Sequence, residues 1–94
     1  MAFYVYLLEC KDKSLYCGWT NNLKARLRAH NAGKASSYTR SRLPAKLVFF
    51  EKTKTKSLAL KREAEIKAFS RKEKLRLLNP GWRKSLLLPS LAKK

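Results

Sequence analysis

Apolar residues come in short clusters along this chain. Phe3 to Cys10 is almost continuously aliphatic and aromatic, Leu15 to Trp19 repeats that character, and Lys11-Asp12-Lys13-Ser14 forms a polar break between them. Two apolar runs of strand length around a short polar break predict a β-hairpin. Thr20, Asn21 and Asn22 then offer helix N-caps before Leu23 to Asn31, where Leu23 and Leu27 stand four apart, and Gly33 is a natural stop. Lys34 to Pro44 is rich in Ser, Lys and Arg and reads as a basic loop. Leu47-Val48-Phe49-Phe50 reads as a third strand whose unbroken apolar run predicts burial on both faces. Ser57 can cap a second helix running to about Phe69. Ser70 and Glu73 have capping-box spacing for a third, Arg71 to Leu78, ended by Asn79-Pro80-Gly81. The expected order is ββαβαα, an α+β fold with a three-stranded antiparallel or mixed sheet flanked by helices. Residues 1–80 are expected to form one domain, with 81–94 as a tail.

Composition narrows the partners. The chain has 94 residues, which suits a single domain burying about 60–65% of its unfolded surface. Lys and Arg number 23 against 6 Asp and Glu, a net charge of +17. Charge of one sign on that scale repels itself, and a polyanionic partner is the usual reason to keep it. Nucleic acid is therefore the expected partner, DNA ahead of RNA. The longest apolar run, Ala2 to Leu8, is far short of the roughly 20 residues that span a bilayer, so no membrane association is expected. With no signal-peptide pattern visible, the expected compartment is the cytoplasm. Cys10 and Cys17, lacking CxxC spacing, then read as reduced, small buried apolar side chains rather than as a zinc site.

Candidate chemistry is sparse. His30 is the single histidine and Asp12 the single aspartate, which leaves little for a Ser-His-Asp triad. Two-metal nucleases need several carboxylates around ions about 3.5–4 Å apart. Glu63 and Glu65, two apart on a predicted helix, point about 200° away from each other, so one site can use only one of them. A hydrolytic centre in this chain would work with one carboxylate and one metal ion.

One ordered set of residues fits that requirement. Val5-Tyr6-Leu7, Tyr16-Cys17-Gly18, Arg26, His30 and Glu63 (within Ala59-Leu60-Lys61-Arg62-Glu63-Ala64) follow one another along the chain. In order and spacing this set resembles the GIY-YIG nuclease domain, over Tyr4 to about Lys67. Val5, Leu7 and Cys17 replace the Gly and Ile residues of the family's strand tripeptides and leave the reacting groups in place. Tyr38-Thr39-Arg40-Ser41-Arg42, with Arg62 to Lys67, is similar to a small stand-alone bacterial branch of that family. The resemblance implies metal-dependent hydrolysis of phosphodiester bonds. Glu63 would hold one Mg²⁺ or Mn²⁺, and Arg26 would neutralise charge on the phosphate. A tyrosine would take the proton of the attacking water, Tyr16 ahead of Tyr6, with His30 assisting. Ionising a free tyrosine at pH 7 costs about 4 kcal/mol, so the base needs help from its surroundings. Lys34, Tyr38, Arg40 and Arg42 of the basic loop, with Arg62 and Lys67 of the second helix, are the expected nucleic-acid contacts. Such contacts carry affinity more than sequence information, which leaves specificity to substrate shape or to a partner protein. A monomer or weak dimer is expected. The alternative function is a basic nucleic-acid-binding module without catalysis on the same fold. Glu63 also stands four residues before Lys67, the spacing of an ordinary helix-surface ion pair.

The function constrains the hairpin. Tyr6 and Tyr16 share a face only if paired positions sum to an even number. A three-residue loop, Asp12-Lys13-Ser14, pairing Cys10 with Tyr16 meets that condition and asks Ser14 for φ > 0. It would leave open space near Gly18 for a phosphate. Phe3, Val5, Leu7, Leu15 and Cys17 would turn to the opposite face, and Cys10 and Cys17 would stand on different sides of the sheet.

The charge generates the first test. If about five phosphates are neutralised on binding, log K should fall with log salt at a slope of roughly −4 to −5 on duplex DNA. A slope near zero in a fluorescence-anisotropy salt series would assign the positive charge to something other than nucleic acid.

Overall fold

The computed structural model describes residues 2–78. Three strands, β1 (Phe3–Glu9), β2 (Leu15–Thr20) and β3 (Lys46–Thr53), form one antiparallel sheet in the order β2-β1-β3. Helices α1 (Leu23–Asn31) and α2 (Ser37–Arg40) lie between β2 and β3, and α3 (Lys56–Lys67) and α4 (Arg71–Arg76) follow β3. The expected α+β class and antiparallel sheet are present, with one added element. The segment expected to be a basic loop contains α2, whose N-cap Ser36 side chain accepts from the Tyr38 amide. The expected stop at Asn79-Pro80-Gly81 and the tail lie outside the described residues.

β1 is the central strand, and Val5-Tyr6-Leu7-Leu8 is buried without alternation because both faces of the sheet are covered. β3 is an edge strand, which corrects the expectation that it is buried on both sides. Its unbroken apolar run has another cause. The register shifts between Leu7, which faces Phe49, and Leu8, which faces Leu47, so Val48 is the extra residue of a bulge. The bulge turns Val48 and Phe49 into the same core cluster, leaving Phe50 exposed.

Odd-numbered residues of the hairpin face one core. Val5, Leu7 and Cys17 pack with Val48, Phe49 and with Ala59 and Ile66 of α3, flanked by Phe3, Leu15 and Trp19. The other face buries Tyr6, Leu8 and Ala45, with Tyr16, Leu23, Leu27, Leu43 and Leu47 packed against them. Cys10 and Cys17 are buried free cysteines, and Cys17 packs in the core that faces α3.

The hairpin loop is one pair away from expectation. Leu8 faces Tyr16, and the Cys10 amide donates to the Ser14 carbonyl at 2.9 Å, so the three connecting residues are Lys11, Asp12 and Lys13. Positive φ falls on Lys13 (φ 72) rather than Ser14. Asp12 supports the turn by accepting from both the amide and the hydroxyl of Ser14. The even pairing sum is preserved, so the tyrosines do share a face.

Helix ends follow local chemistry. Asn22 caps α1 through the Ala25 amide, and Ser70 and Glu73 form the expected capping box on α4. Thr55, not Ser57, caps α3, because its hydroxyl reaches the Leu58 amide at 3.1 Å. Asn31 ties the end of α1 to the entrance of β3. Its side-chain oxygen accepts from the Ala45 amide at 2.9 Å and its nitrogen donates to the Ala45 carbonyl at 3.0 Å.

Ile66 is fully buried between α3 and the sheet. Ile66→Ala should lower unfolding free energy by about 2–5 kcal/mol. Leu60→Ala, at a position 42% exposed on the same helix, should change it by less than about 0.5 kcal/mol. Urea titration followed by circular dichroism measures both.

Candidate active site

The register brings Tyr6 opposite Gly18. A Cβ built on Gly18 would stand 2.6 Å from the Tyr6 hydroxyl oxygen, 2.8 Å from its Cζ and 3.3 Å from Cε2 of Tyr16. Glycine is thus required for close approach: the Tyr6 phenol lies down over the neighbouring strand beside Tyr16. The open space expected near Gly18 is filled by that phenol.

His30 meets Tyr6 from the last turn of α1. Its side chain is buried, with 1% exposure, and Nε2 lies 2.9 Å from the Tyr6 hydroxyl. On the other side of the ring, Nδ1 lies 2.8 Å from the Thr39 hydroxyl of α2. The direction of these bonds follows from the partners. Thr39 donates its proton to the Ser36 carbonyl at 3.3 Å, so its oxygen accepts from His30 Nδ1–H. Neutral His30 then presents a lone pair at Nε2, and Tyr6 O–H donates to it. Burial lowers the His30 pKa, and the positive charge of Arg26 on α1 lowers it further. Burial likewise raises the Tyr6 pKa. Both shifts keep the pair in its neutral, hydrogen-bonded form. Arg26 is exposed and lines the small cleft with Tyr6, Leu23 and Leu47.

Tyr16 packs edge-on against the His30 ring at 5.1 Å and lies 5.9 Å from the ring of Tyr38. Arg42 covers Tyr38, its guanidinium carbon 4.0 Å from the ring centre, while pairing with Asp12 of the hairpin loop at 3.0 Å. Arg42 also donates to the Tyr38 carbonyl and the Ser41 hydroxyl. The guanidinium expected to contact nucleic acid therefore ties α2 to the hairpin. Lys34 and Arg40 are exposed nearby, Arg40 packing its stem against Gly33. Arg62 stands apart from this group, on α3, paired with Glu51 at 3.2 Å and Glu65 at 3.1 Å.

Glu63 comes from the opposite side of the sheet. It lies four residues after Ala59 and three before Ile66, on the stripe of α3 that faces the sheet. Its side chain is 16% exposed, and Lys67 Nζ approaches it at 3.4 Å. The charges of Glu63 and Arg26 both reach the Tyr6 phenol, Arg26 favouring ionisation and Glu63 opposing it. Tyr6 is thus hydrogen-bonded to His30 and feels the charges of both Arg26 on its own face and Glu63 across the sheet. Cys17 has its thiol pushed up to about 11 by burial and then by Glu63, which makes it inert as a nucleophile.

Thr39 is the side chain of this cluster that the sequence does not single out. It sits inside the basic stretch, and its burial depends on α2, which composition does not announce. A Ser36 cap ahead of four residues with no Gly or Pro was the available signal.

A single carboxylate suits a hard divalent ion that keeps most of its waters and takes phosphate oxygens as further ligands. Among the described residues no three His, Cys, Asp or Glu side chains converge. Also among the described residues, no helix is long and apolar enough to cross a membrane.

Known proteins resemble this chain in sequence and in fold. Residues 2–76 match the GIY-YIG catalytic domain. A UPF0213 protein of Staphylococcus haemolyticus is 52% identical over 75 residues, covering 80% of this chain and 92% of its own length. A UPF0213 protein of Syntrophus aciditrophicus is 57% identical over 76 residues, covering 80% of this chain and 87% of its own. The solution NMR structure of a UPF0213 protein from Bacillus halodurans superposes with a TM-score of 0.60 at 38% identity, over 93% of this chain and 97% of that one.

The hydrogen-bond directions and the lowered His30 pKa are measurable together. Nitrogen-15 NMR at pH 7 should show the neutral Nδ1–H tautomer, with a titration midpoint below 6.5. Because the folded pKa lies below the unfolded one, the associated stability is complete above pH 6.5. It is lost as pH falls through the folded value. An Nε2–H tautomer would refute the assignment.

Proposed function

The chain belongs to the GIY-YIG catalytic-domain family, and from that premise we propose that it is a metal-dependent endonuclease hydrolysing phosphodiester bonds in DNA. Substrate shape rather than base sequence directs it, since its cations are suited to phosphate contacts. The observation that carries this reading is the buried hydrogen-bonded chain that joins Tyr6, His30 and Thr39.

Moving a proton from a free tyrosine to a free histidine costs about 5 kcal/mol, and burial widens that gap for Tyr6 and His30. A standing phenolate is therefore disfavoured. Concerted passage avoids it: the Tyr6 oxygen accepts the proton of the attacking water while its own proton moves to His30 Nε2. The imidazolium that forms keeps both donors satisfied, one on Tyr6 and one on Thr39. This gives Tyr6 the proton-accepting role for which sequence reasoning leaned to Tyr16. Tyr16, packed on the His30 ring, positions the imidazole. Arg26 neutralises charge growing on the phosphate. Glu63 would hold one Mg²⁺ or Mn²⁺, which when bound polarises the phosphate and steadies the leaving oxygen. Lys34, Arg40 and Tyr38 contact the nucleic acid, whereas Arg42 acts by bracing α2 against the hairpin.

The Glu63–Lys67 pair is the feature that suits the alternative, a binding module whose carboxylate is already neutralised. Catalysis requires Lys67 to give way, and an exposed lysine pair of this kind is worth only about 0–1 kcal/mol.

Nicking of supercoiled plasmid with Mg²⁺ or Mn²⁺ separates the two readings. Glu63→Ala and Arg26→Ala should each lose at least about 100-fold in cleavage rate. DNA affinity in EDTA should stay nearly intact and tighten slightly for Glu63→Ala. Glu65→Ala, which alters a solvent-facing partner of Arg62, should cut at close to the wild-type rate. Cleavage that survives Glu63→Ala would overturn the metal assignment, and a wild-type protein that binds but never nicks would favour the module.

A further inference from the structure

The sheet face that carries Tyr6 is covered unevenly. α1 places Leu23 and Leu27 against Tyr6, Leu8 and Leu47. Partners in an antiparallel pair share a face. Tyr6 is flanked by Gly18 and Phe50, and the next row holds Thr20, Tyr4 and Lys52. The Tyr6 phenol leans over Gly18, toward β2. Phe50 therefore stands on its other flank, with 37% of its surface exposed. The rings of Tyr4 and Phe50 meet edge to face, 6.1 Å between centres at 71°. Lys52 is exposed beside Tyr4, and Arg26 is exposed where α1 borders Tyr6.

A single exposed phenylalanine carries no message. A ring pair beside two cations and directly across from a candidate catalytic tyrosine does. Aromatic rings on a basic surface stack on nucleobases, and each stacked base contributes about 1–3 kcal/mol. A base inside a duplex cannot offer its flat face to a protein ring; an unpaired one can. Phe50 has no hydrogen-bonding group, so stacking on it would not distinguish one base from another.

We propose that Tyr4 and Phe50 form a stacking subsite for an unpaired nucleobase next to the scissile phosphate. This rests on the nuclease reading above and names its substrate class: nucleic acid with single-stranded character at the cut. Lys52 neutralises the neighbouring phosphate, and Arg26 serves the scissile one. The shape preference is then built into the sheet itself.

Binding in EDTA tests the subsite without catalysis. The probe is a single-stranded 12-mer carrying 2-aminopurine, compared with its duplex, on the full-length protein. Binding should quench the 2-aminopurine in the single strand. Phe50→Leu, which keeps most of the apolar volume, should weaken single-strand affinity by roughly 5- to 100-fold while duplex affinity moves less than about twofold. Phe50→Trp should restore the single-strand affinity. Equal single-strand affinities for wild type and Phe50→Leu, or equal losses on both probes, would overturn the subsite. Either result leaves the nuclease reading intact, because that reading stands on plasmid nicking by wild type against Glu63→Ala.

Discussion

Pairing Tyr6 with Gly18 places a phenol flat over the one strand residue that lacks a side chain, and the rest of the site is arranged around that ring. The hydroxyl reaches His30 only because the ring can lie down. His30 can sit at that depth only because Thr39 satisfies its second nitrogen. Thr39 is in reach only because α2 is folded, and α2 is held by Arg42 bridging to Asp12 in the hairpin loop. A register slip of one residue would turn Tyr6 to the other face and undo every link.

The polar chain at this depth is expensive unless complete, since an unpaired buried donor or acceptor costs about 1–3 kcal/mol. Among the described residues no buried side-chain nitrogen or oxygen lacks a partner. Completeness fixes the histidine tautomer and the resting protonation of the pair. In the proposed mechanism, stability and proton transfer depend on the same hydrogen bonds. Removing Thr39 would both weaken the fold and free the imidazole to flip its tautomer.

The few acids are largely occupied with structure. Asp12 is paired with Arg42, Glu51 and Glu65 with Arg62, and Glu73 closes the capping box on α4. Glu63 is different, since it is largely shielded, lies within electrostatic reach of the Tyr6 phenol, and is neutralised by a lysine on a flexible stem. The remaining Lys and Arg excess leaves a net charge of +17, which opposes compaction through self-repulsion.

The three strands, three of the four helices, the capping box at Ser70 and a cap among Thr20, Asn21 and Asn22 were legible in the chain, because caps and alternation act over a few residues. Even the shared face of the two tyrosines followed, since strand parity is arithmetic. The rest needed the third dimension. The Val48 bulge disguised an edge strand as a central one, because two adjacent apolar residues face one core only when the ladder slips. Along the chain Arg42 is one cation among several in a basic stretch; only the fold pairs it with Asp12, 30 residues earlier. Tyr6 took precedence over Tyr16 as proton acceptor in our mechanism because His30 Nε2 points at its hydroxyl, a direction set by Thr39 on the other side of the ring. Local pattern determined which groups the protein has; the packing of α1 and α2 on one sheet face decided which of them touch, because a hydrogen bond depends on separations of tenths of an ångström that no spacing along the chain encodes.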